Sequence, residues 1–557
     1  MKLNRITAML ALSSLPLFGQ ASSYDVETLP TESVSSNQFA SSIDNTGLIL
    51  TTVNQPFNPP IDLSILDLDQ IALTDPDAAA QGDFNDIDYT IIVNRILSFT
   101  AAFDPLTQKL ASQIGYQTDG TDFEYVFGFD TQTDDTDGFT FAQTTLLTDS
   151  VGGTHIVGTM AGPYVKTPYT LEDGTDITVV TNEYNSRGFV QIGDSVTALT
   201  PPNIDAGGLS DARSINTNFQ VAGEGSVEVS ESITEAIDDC NDPEIRGDQP
   251  VETCLYSLIN RTSTSIFGVT SNTFLPQMTR RAMVWQLNSE GEVVDTTVYG
   301  LTFEPETDDI NIYSNRAVDI NDNGVAVGNT PVTNGDNFFQ AAAVFENSVT
   351  SQLISDTDLL PNLATGINNN NIVVGYAVRT ISGTSRDKMF IYDRNNDQIT
   401  LPDGFFVSSE TVPRAINNEN IVVGEADVDS ENRRKNGFIY DIDAETFTNL
   451  NSLIACDAPF EIVAANDIND NGEIIAEALV TRAQRDIRGE PVNDADGNAI
   501  MIDAVVAVKL IPTGNPASDC APSEEEAAAN ERQGASFGII SSFGLLILIL
   551  FRRLKSK

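Results

Sequence analysis

The stretch Ala317-Val318-Asp319-Ile320-Asn321-Asp322-Asn323-Gly324-Val325-Ala326-Val327-Gly328 decides how the chain is read, because it returns three times with little change. Its counterparts are Thr365-Gly366-Ile367-Asn368-Asn369-Asn370-Asn371-Ile372-Val373-Val374-Gly375, Arg414-Ala415-Ile416-Asn417-Asn418-Glu419-Asn420-Ile421-Val422-Val423-Gly424 and Asn466-Asp467-Ile468-Asn469-Asp470-Asn471-Gly472-Glu473-Ile474-Ile475-Ala476. The isoleucines fall at 320, 367, 416 and 468, a period of 47 to 52 residues. Such a period marks an architecture whose units bury their apolar faces against one another. Inside the unit the chemistry is local. Asn and Gly tolerate the positive φ of tight turns, so Ile-Asn-x-Asn-Gly reads as a turn. The β-branched run after it, such as Ile372-Val373-Val374, reads as a buried strand, and its closing glycine marks a place where backbones crowd.

Each unit then continues into a second strand: Ala282-Met283-Val284-Trp285, Ala342-Ala343-Val344-Phe345, Met389-Phe390-Ile391-Tyr392-Asp393 or Gly437-Phe438-Ile439-Tyr440-Asp441. A polar turn and a last short strand complete it, as in Gln398-Ile399-Thr400-Leu401 and Thr446-Phe447-Thr448-Asn449-Leu450. Fainter copies are Ser42-Ile43-Asp44-Asn45-Thr46-Gly47, Thr154-His155-Ile156-Val157-Gly158, and Ser214-Ile215-Asn216 leading to Val221-Ala222-Gly223. Four short strands in about fifty residues predict an all-β fold, a β-propeller of about seven or eight four-stranded blades. Coils of a β-helix are shorter, and tandem sandwiches need units nearer about a hundred residues. The repeat ectodomain is read as residues 22–512. Residues 54–145 break the rhythm, opening on Asn58-Pro59-Pro60 with a helical pattern between about Ile87 and Ile114, and are read as a partly helical N-terminal insertion.

The units resemble the HAF-type extracellular repeats, over about residues 40–50 and 150–510. The His-Ala-Phe of that pattern is replaced here, for example by Lys388-Met389-Phe390 and Asn436-Gly437-Phe438. The resemblance implies a fold more than an activity.

Both ends read as targeting segments. Lys2 and Arg5 precede an apolar run from Ile6 to Phe18, then Gly19-Gln20-Ala21. That order is a signal peptide over residues 1–21 with cleavage by signal peptidase after Ala21. The apolar run, about thirteen residues, is too short to span a bilayer. At the other end, an acidic low-complexity linker over 513–533 leads to Gly534-Ala535-Ser536, an apolar segment Phe537–Phe551 and the basic end Arg552-Arg553-Leu554-Lys555-Ser556-Lys557. Residues 534–557 are thus expected to place a membrane helix in the inner membrane, with its basic tail cytoplasmic. Fifteen residues at about 1.5 Å each cover about 23 Å of a core about 30 Å thick, short for a permanent anchor.

This tail resembles the GlyGly-type C-terminal sorting signals, with Gly534-Ala535 where a glycine pair is typical. The resemblance covers the last 24 residues or so, from 534 to 557. It implies a rhomboid-like sorting protease that cuts near Gly534, Ala535 and Ser536, and passage to the cell surface or medium by type II secretion. The alternative is an inner-membrane protein, anchored by an uncut tail and facing the periplasm. Together the two resemblances match an uncharacterised family of bacterial envelope proteins.

Charge and chemistry narrow the function. Eighty acidic against 29 basic residues give a formal charge of −51, which disfavours nucleic acid and anionic lipid as partners. Four cysteines in an exported chain read as two disulfides. A Cys240–Cys254 bridge would close a loop of about fifteen residues, worth roughly 3 kcal/mol, leaving Cys456 with Cys520. Three connectivities stay open. The only histidine is His155, so any Ser-His-Asp or Cys-His system must run through it, and multi-histidine metal sites are excluded. No cofactor is expected. Calcium is the one metal with candidate loops, in Asp319, Asn321 and Asn323, in Asp467, Asn469 and Asn471, in Asp134 and Asp137, and in Asp494 and Asp496. The first two sets follow half a calcium loop but carry Thr330 and Ala478 where the closing Glu belongs. The leading expectation is a non-enzymatic binder of an unknown protein or glycan ligand, or an envelope-structural propeller. The alternative is a glycoside hydrolase working with two carboxyls.

Overall fold

The computed structural model describes residues 22–29, 34–54, 56–98, 104–133, 138–264, 270–306, 309, 311–335 and 337–517. Seven four-stranded antiparallel sheets follow one another as the blades of a β-propeller. Blade 5 shows the unit: Asn362–Ile367 innermost, then Ile372–Ile381, Thr384–Asp393 and Gln398–Thr400. The innermost strands of the other blades are Asn37–Ile43, Thr145–Val151, Ser210–Ile215, Arg316–Ile320, Thr411–Ile416 and Phe460–Ile468. The repeat motif is therefore the inner strand, its turn and the second strand. Its turn residues adopt the positive φ expected of them, Gly324 at 75°, Asn371 at 61°, Asn420 at 60° and Gly472 at 77°.

Blade 7 is closed from the other end of the chain. Its sheet runs Phe460–Ile468, Ile474–Ala483, Met501–Pro516 and then Ser22–Thr28 as the outer strand. Pairing the first strand of the chain with its last blade makes the ring depend on both ends. A small separate unit gathers the described parts of residues 1–24, 452–458 and 513–557. In it Tyr24 N donates to Leu453 O at 2.8 Å, and Cys456 is disulfide-bonded. Cys520 lies outside the described residues, as do the signal peptide and the sorting tail. Among the described residues no helix is long and apolar enough to cross a membrane.

Apolar layers lie between blades, as the repeat requires. Val327, Ala342 and Val344 of blade 4 meet Ala364, Val373 and Phe390 of blade 5, and Val157, Val190 and Leu199 of blade 2 meet Ile215, Met283 and Trp285 of blade 3. Polar side chains then tie the inner turns together. Asn216, Asn321, Asn368, Asn417 and Asn469 each donate Nδ2 to the carbonyl of the turn in the next blade, at Asn321, Asn368, Asn417, Asn469 and Asp44, over 2.8 to 3.0 Å. The Oδ1 of Asn368 meanwhile accepts from Asn370 N and Ile372 N of its own turn. One residue shapes the turn and links it to its neighbour. The following position repeats the device: Asp322 N, Asn369 N and Asn418 N donate to the side chains of Asn369, Asn418 and Asp470.

The N-terminal insertion is shorter than expected from the broken rhythm. Residues 55–112 leave blade 1 between its second and third strands, and Gln113–Thr118 and Phe123–Tyr125 belong to the blade itself. Its helix is Asp86–Ile96, begun by Asn85, whose side chain accepts from Asp88 N. Three further blades carry insertions at the same place. Blade 2 adds the hairpin Val165–Thr170 with Asp176–Thr181, blade 3 the helices Glu231–Asn241 and Val251–Ile259, and blade 7 residues 484–500. They interlock into a cap at the end opposite the Asn turns. Asn58 N donates to Ile487 O at 2.9 Å, Val180 N to Pro105 O at 2.6 Å, and Glu172 N to Asp248 Oδ2 at 2.7 Å. Arg488 stacks 4.1 Å over the Tyr89 ring.

The Cys240–Cys254 bridge is present, with Cα atoms 5.6 Å apart, and staples two cap helices. Replacing both cysteines by serine is expected to cost the cap about 3 kcal/mol. Limited proteolysis should then cut faster within residues 230–260, while the main unfolding transition of the propeller moves little.

Candidate ligand-binding mouth of the central channel

A cavity of about 600 Å³ runs along the propeller axis, lined by the inner strands of all seven blades. Every inner strand carries a β-bulge against its partner at one shared level, at Ser41, Thr148, Arg213, Val318, Thr365, Arg414 and Asn466, and blade 7 has a second at Val463. The seven residues of the shared level all line the channel. A bulge re-aims the side chain it adds, which is why so few of these positions follow the apolar alternation of the strand.

The next residue along is Asp149 in blade 2, Asp319 in blade 4 and Asp467 in blade 7, spread around the ring. Each carboxylate accepts a backbone N–H from the following blade: Ile215 N on Asp149 at 2.9 Å, Ile367 N on Asp319 at 2.7 Å and Ile43 N on Asp467 at 2.8 Å. The other oxygen accepts the N–H of the residue that follows, Ser150, Ile320 or Ile468. Burial, reinforced by the charges of Asp467 and Asp319, pushes Asp149 up to about 8. Burial lifts Asp467 to about 6 and raises Asp319 as well. The folded chain therefore holds protons that the unfolded chain releases near pH 4. The stability these groups contribute is full below about pH 4 and is lost as pH rises through about 6 and then about 8. The melting temperature is expected to fall between pH 5 and pH 8.5 in about 0.5 M salt, which screens the general self-repulsion. Asp149→Asn should flatten the upper part of that fall; an unchanged slope would contradict it.

A second set of charged side chains extends from the bulges, where Arg213 and Arg414 line the channel. It joins these and the position just beyond the closing glycine of the second strands to Arg280, Arg316, Arg386, Asp387, Glu410 and Lys435. Glu224 is 2% exposed and bonds Arg280 Nη1 at 3.2 Å. Burial raises its carboxyl against the pull of Arg280, with Asp211, Arg316 and Arg213 also acting on it. Arg316 of blade 4 donates Nε to Asn329 Oδ1 at 2.9 Å and acts in turn on Tyr376 of blade 5. Beyond it, Asp387 is raised by burial and by Glu410, which pairs with Arg386 at 3.3 Å. Glu425 holds both Arg414 and Lys435, at 2.9 and 2.8 Å, and its pKa is lowered by them. Burial raises Glu477, which bonds Asn466 at 3.2 Å.

Those described among the residues expected to matter fall in three places. Asp319 and Asp467 sit in the channel. Asn321, Asn323, Asn469 and Asn471 are spent on the turn ladder, the second and fourth through Nδ2 donated to Asn369 O and Asn45 O. Asp494 accepts from Asp496 N and Asn498 N, both at 2.9 Å, in an exposed turn. Asp134 and Asp137 lie outside the described residues. Among the described residues no group of three or more His, Cys, Asp or Glu is placed to hold a metal ion. His155 is 7% exposed, stacked 4.5 Å from Phe219 between blades 2 and 3, and burial lowers its pKa. Lys388, at the position of the missing histidine in the repeat, is buried and donates to the carbonyls of Asp403, Val407 and Ser409.

Fold and site together define a seven-bladed β-propeller with interlocking insertions on blades 7 and 1–3 and a polar central channel lined by all seven inner strands. The chain belongs to the family described as "Protein of unknown function (DUF3466)", whose model matches residues 2–554. No curated protein matches it. Among solved structures it is similar to the β-propeller domain of the Trilobed protease from Pyrococcus furiosus, at 10% identity and TM-score 0.30, covering 65% of this chain and 88% of that one. It is also similar to a Mycobacterium tuberculosis puromycin-hydrolyzing peptidase, at 9% identity and TM-score 0.37, covering 90% of this chain and 57% of that one. A third is a protein of unknown function from Dyadobacter fermentans, at 9% identity and TM-score 0.31, covering 89% and 100%. These likenesses say nothing about activity; the propeller rests on the seven sheets themselves.

Proposed function

We propose that the protein is an exported, non-enzymatic binding propeller that takes its ligand, a glycan or a protein segment, in the central channel. One observation carries this: a channel of about 600 Å³ whose wall carries Arg213 and Arg414, each with a carboxylate partner, beside the polar Thr148, Thr365 and Asn466. Charged pairs of this kind match hydroxyl groups, which donate and accept at once. The axial acids support a structural role rather than catalysis, since each already accepts two backbone N–H groups.

Export is supported by the signal peptide over residues 1–21 and by the tail, whose spacer, Gly534-Ala535-Ser536, apolar segment and basic end resemble a GlyGly-type signal. Signal peptidase, a rhomboid-like protease and type II secretion then carry the chain to the surface or medium. The HAF-like repeats fit the same extracellular setting. An intact mass ending near Gly534 is expected for the native protein; a full-length chain in the inner membrane would sink this route.

A second reading, a glycoside hydrolase, is favoured by Glu224, Asp387 and Glu477, whose raised pKa values suit a general acid. Passing the native protein over a panel of bacterial and algal polysaccharides separates the two. Retention without release of reducing ends is expected. Reducing ends that disappear in Glu224→Gln would establish the hydrolase instead.

A further inference from the structure

The charge on the channel wall is one-sided. Six carboxylates line it, Asp44, Asp149, Asp319, Asp322, Asp467 and Asp470, against two cations, Arg213 and Arg414. Both guanidinium groups turn to carboxylates outside the lining, Asp211 at 3.4 Å and Glu425 at 2.9 Å. None of the six lining carboxylates is in an ion pair among the described residues. A channel of this sign, in a chain of formal charge −51, concentrates cations.

Asp149, Asp319 and Asp467 share one level, just after the bulge, where blades 1 and 3 carry Ser42 and Ser214. The two serines differ. Ser214 Oγ joins its neighbours, 2.9 Å from Asp149 Oδ2 and 2.8 Å from Asp319 Oδ1. Ser42 holds the equivalent place between Asp467 of blade 7 and Asp149 of blade 2, is 3% exposed, and its hydroxyl has no partner. Ser150 Oγ of blade 2, on a residue 5% exposed, and Asn466 Oδ1 of blade 7 are unpartnered too, and all three residues line the channel. The unmet atoms thus gather on the consecutive blades 7, 1 and 2, with Arg213 Nε of blade 3 as a further donor. Asp467 itself accepts only the N–H groups of Ile43 and Ile468, about half of what a carboxylate can take.

This arc calls for a cation that also carries hydroxyl groups. A bare metal ion does not suit it, since no group of three or more acids among the described residues is placed to hold one. An ammonium group offers three N–H donors at once. Hydroxyl groups on the same molecule donate to Asn466 Oδ1 and exchange bonds with the serines, which an alkyl amine leaves unmet. A cavity of about 600 Å³ admits one or two sugar rings.

We propose that Asp467, Ser42 and Asp149 bind the ammonium group of an amino sugar whose amine is free, with its hydroxyl groups reaching across the bulge level to Thr148, Thr365 and Asn466. This rests on the reading that the channel is the ligand site, and it names the chemical class bound there. Burial lifts Asp467 to about 6 and Asp149 to about 8, so the ligand competes with protons. Affinity rises with pH as these acids ionise, until the amine loses its own proton.

The test is calorimetric titration of the whole exported protein at about pH 7 in about 0.15 M salt, where Asp467 is ionised and an amine is charged. The probes are the trimer of glucosamine, the trimer of N-acetylglucosamine as the same backbone without charge, and diaminobutane as an amine without hydroxyl groups. The glucosamine trimer is expected to bind about tenfold or more tightly than either. Asp467→Asn should lower its affinity about tenfold or more, through loss of a charge-assisted contact. Ser42→Ala should lower it about threefold or more and leave the melting temperature unchanged, because that hydroxyl gives up no bond within the protein. Equal binding of the acetylated trimer would overturn the proposal while leaving a glycan site in the channel. Equal binding of diaminobutane would overturn it in favour of a plain amine. Glucosamine binding indifferent to both variants would overturn the placement. Binding of none of the three, while another polysaccharide slows exchange in the channel strands, would overturn the amino sugar alone. No such slowing by any retained polysaccharide would overturn the channel reading as well.

Discussion

Gly375→Ala is expected to destabilise the propeller by about 3 kcal/mol or more, and in many preparations to leave no folded protein. The glycine closes the Val-Val-Gly run of blade 5, opposite the bulge between Ala364 and Gly366. The bulge pushes the inner strand toward its partner, so an added methyl would land on the Leu363 carbonyl and the Phe390 ring. Neither can retreat, because Phe390 is fully buried between blades 4 and 5. The same collision awaits at Gly223, Gly328 and Gly424, each against the carbonyl of the inner strand. Gly383→Ala is the control. Its φ of +83° is strained for alanine, yet nothing lies within 4 Å, so a loss of about 1 kcal/mol is expected. Urea denaturation of the two variants should differ severalfold in stability lost; equal losses would mean that crowding at the bulge is not what the glycine serves.

The second large effect is expected at Asn368. Alanine there leaves Asn370 N, Ile372 N and the Asn417 carbonyl without their side-chain partner, at a site 3% exposed. Each buried group left unmade costs about 1–3 kcal/mol, and water can reach the edge of the turn, so a total near 3 kcal/mol is expected. Asn368→Asp separates the two jobs of the residue. It keeps both acceptor contacts within the turn but turns a carboxylate toward the Asn417 carbonyl. Where the ring does carry an aspartate, Asp44, the carboxylate meets Gly153 N instead of a carbonyl. A loss in Asn368→Asp as large as in Asn368→Ala would assign the cost to the bond between blades; a near-native Asp variant would assign it to the turn.

The repeat showed the blades because its signal is local. Ile-Asn-x-Asn-Gly makes the turn, the β-branched run makes the strand, and both recur within 47 to 52 residues. Two features of the fold lay beyond it. The closing strand Ser22–Thr28 carries no repeat motif, and its sheet neighbour Met501–Pro516 comes from the far end of the chain. In sequence the Asn ladder reads as turn chemistry alone, because its Nδ2 partners stand one full repeat away. The expected insertion over 54–145 overruns into the blade, because Gln113–Thr118 lacks the motif although it pairs in register with Ile49–Asn54.

The candidate site was hidden for a related reason. Arg213 and Arg414 belong to no catalytic motif and reach the channel from blades 3 and 6, far apart in the chain. A signal was nonetheless present. Aligning the units shows two columns that ignore the pattern of the repeat, the residue two before the isoleucine and the residue after the closing glycine. The first holds Arg213, Val318, Thr365, Arg414 and Asn466, the second Glu224, Asn329, Tyr376 and Glu425. Variable polar positions in an otherwise uniform repeat are where a ring can be fitted to a ligand.

Hydrogen exchange on the whole protein, with and without the polysaccharide it retains, tests the placement of the ligand most directly. Slowed exchange is expected in residues 210–214, 222–228, 278–284, 314–319, 374–388, 411–415 and 422–427, the strands around the bulges and toward the cap. Protection confined to the Asn turns at 44–48, 320–325, 368–372, 417–421 and 469–473, with the cap-side strands unchanged, would contradict it.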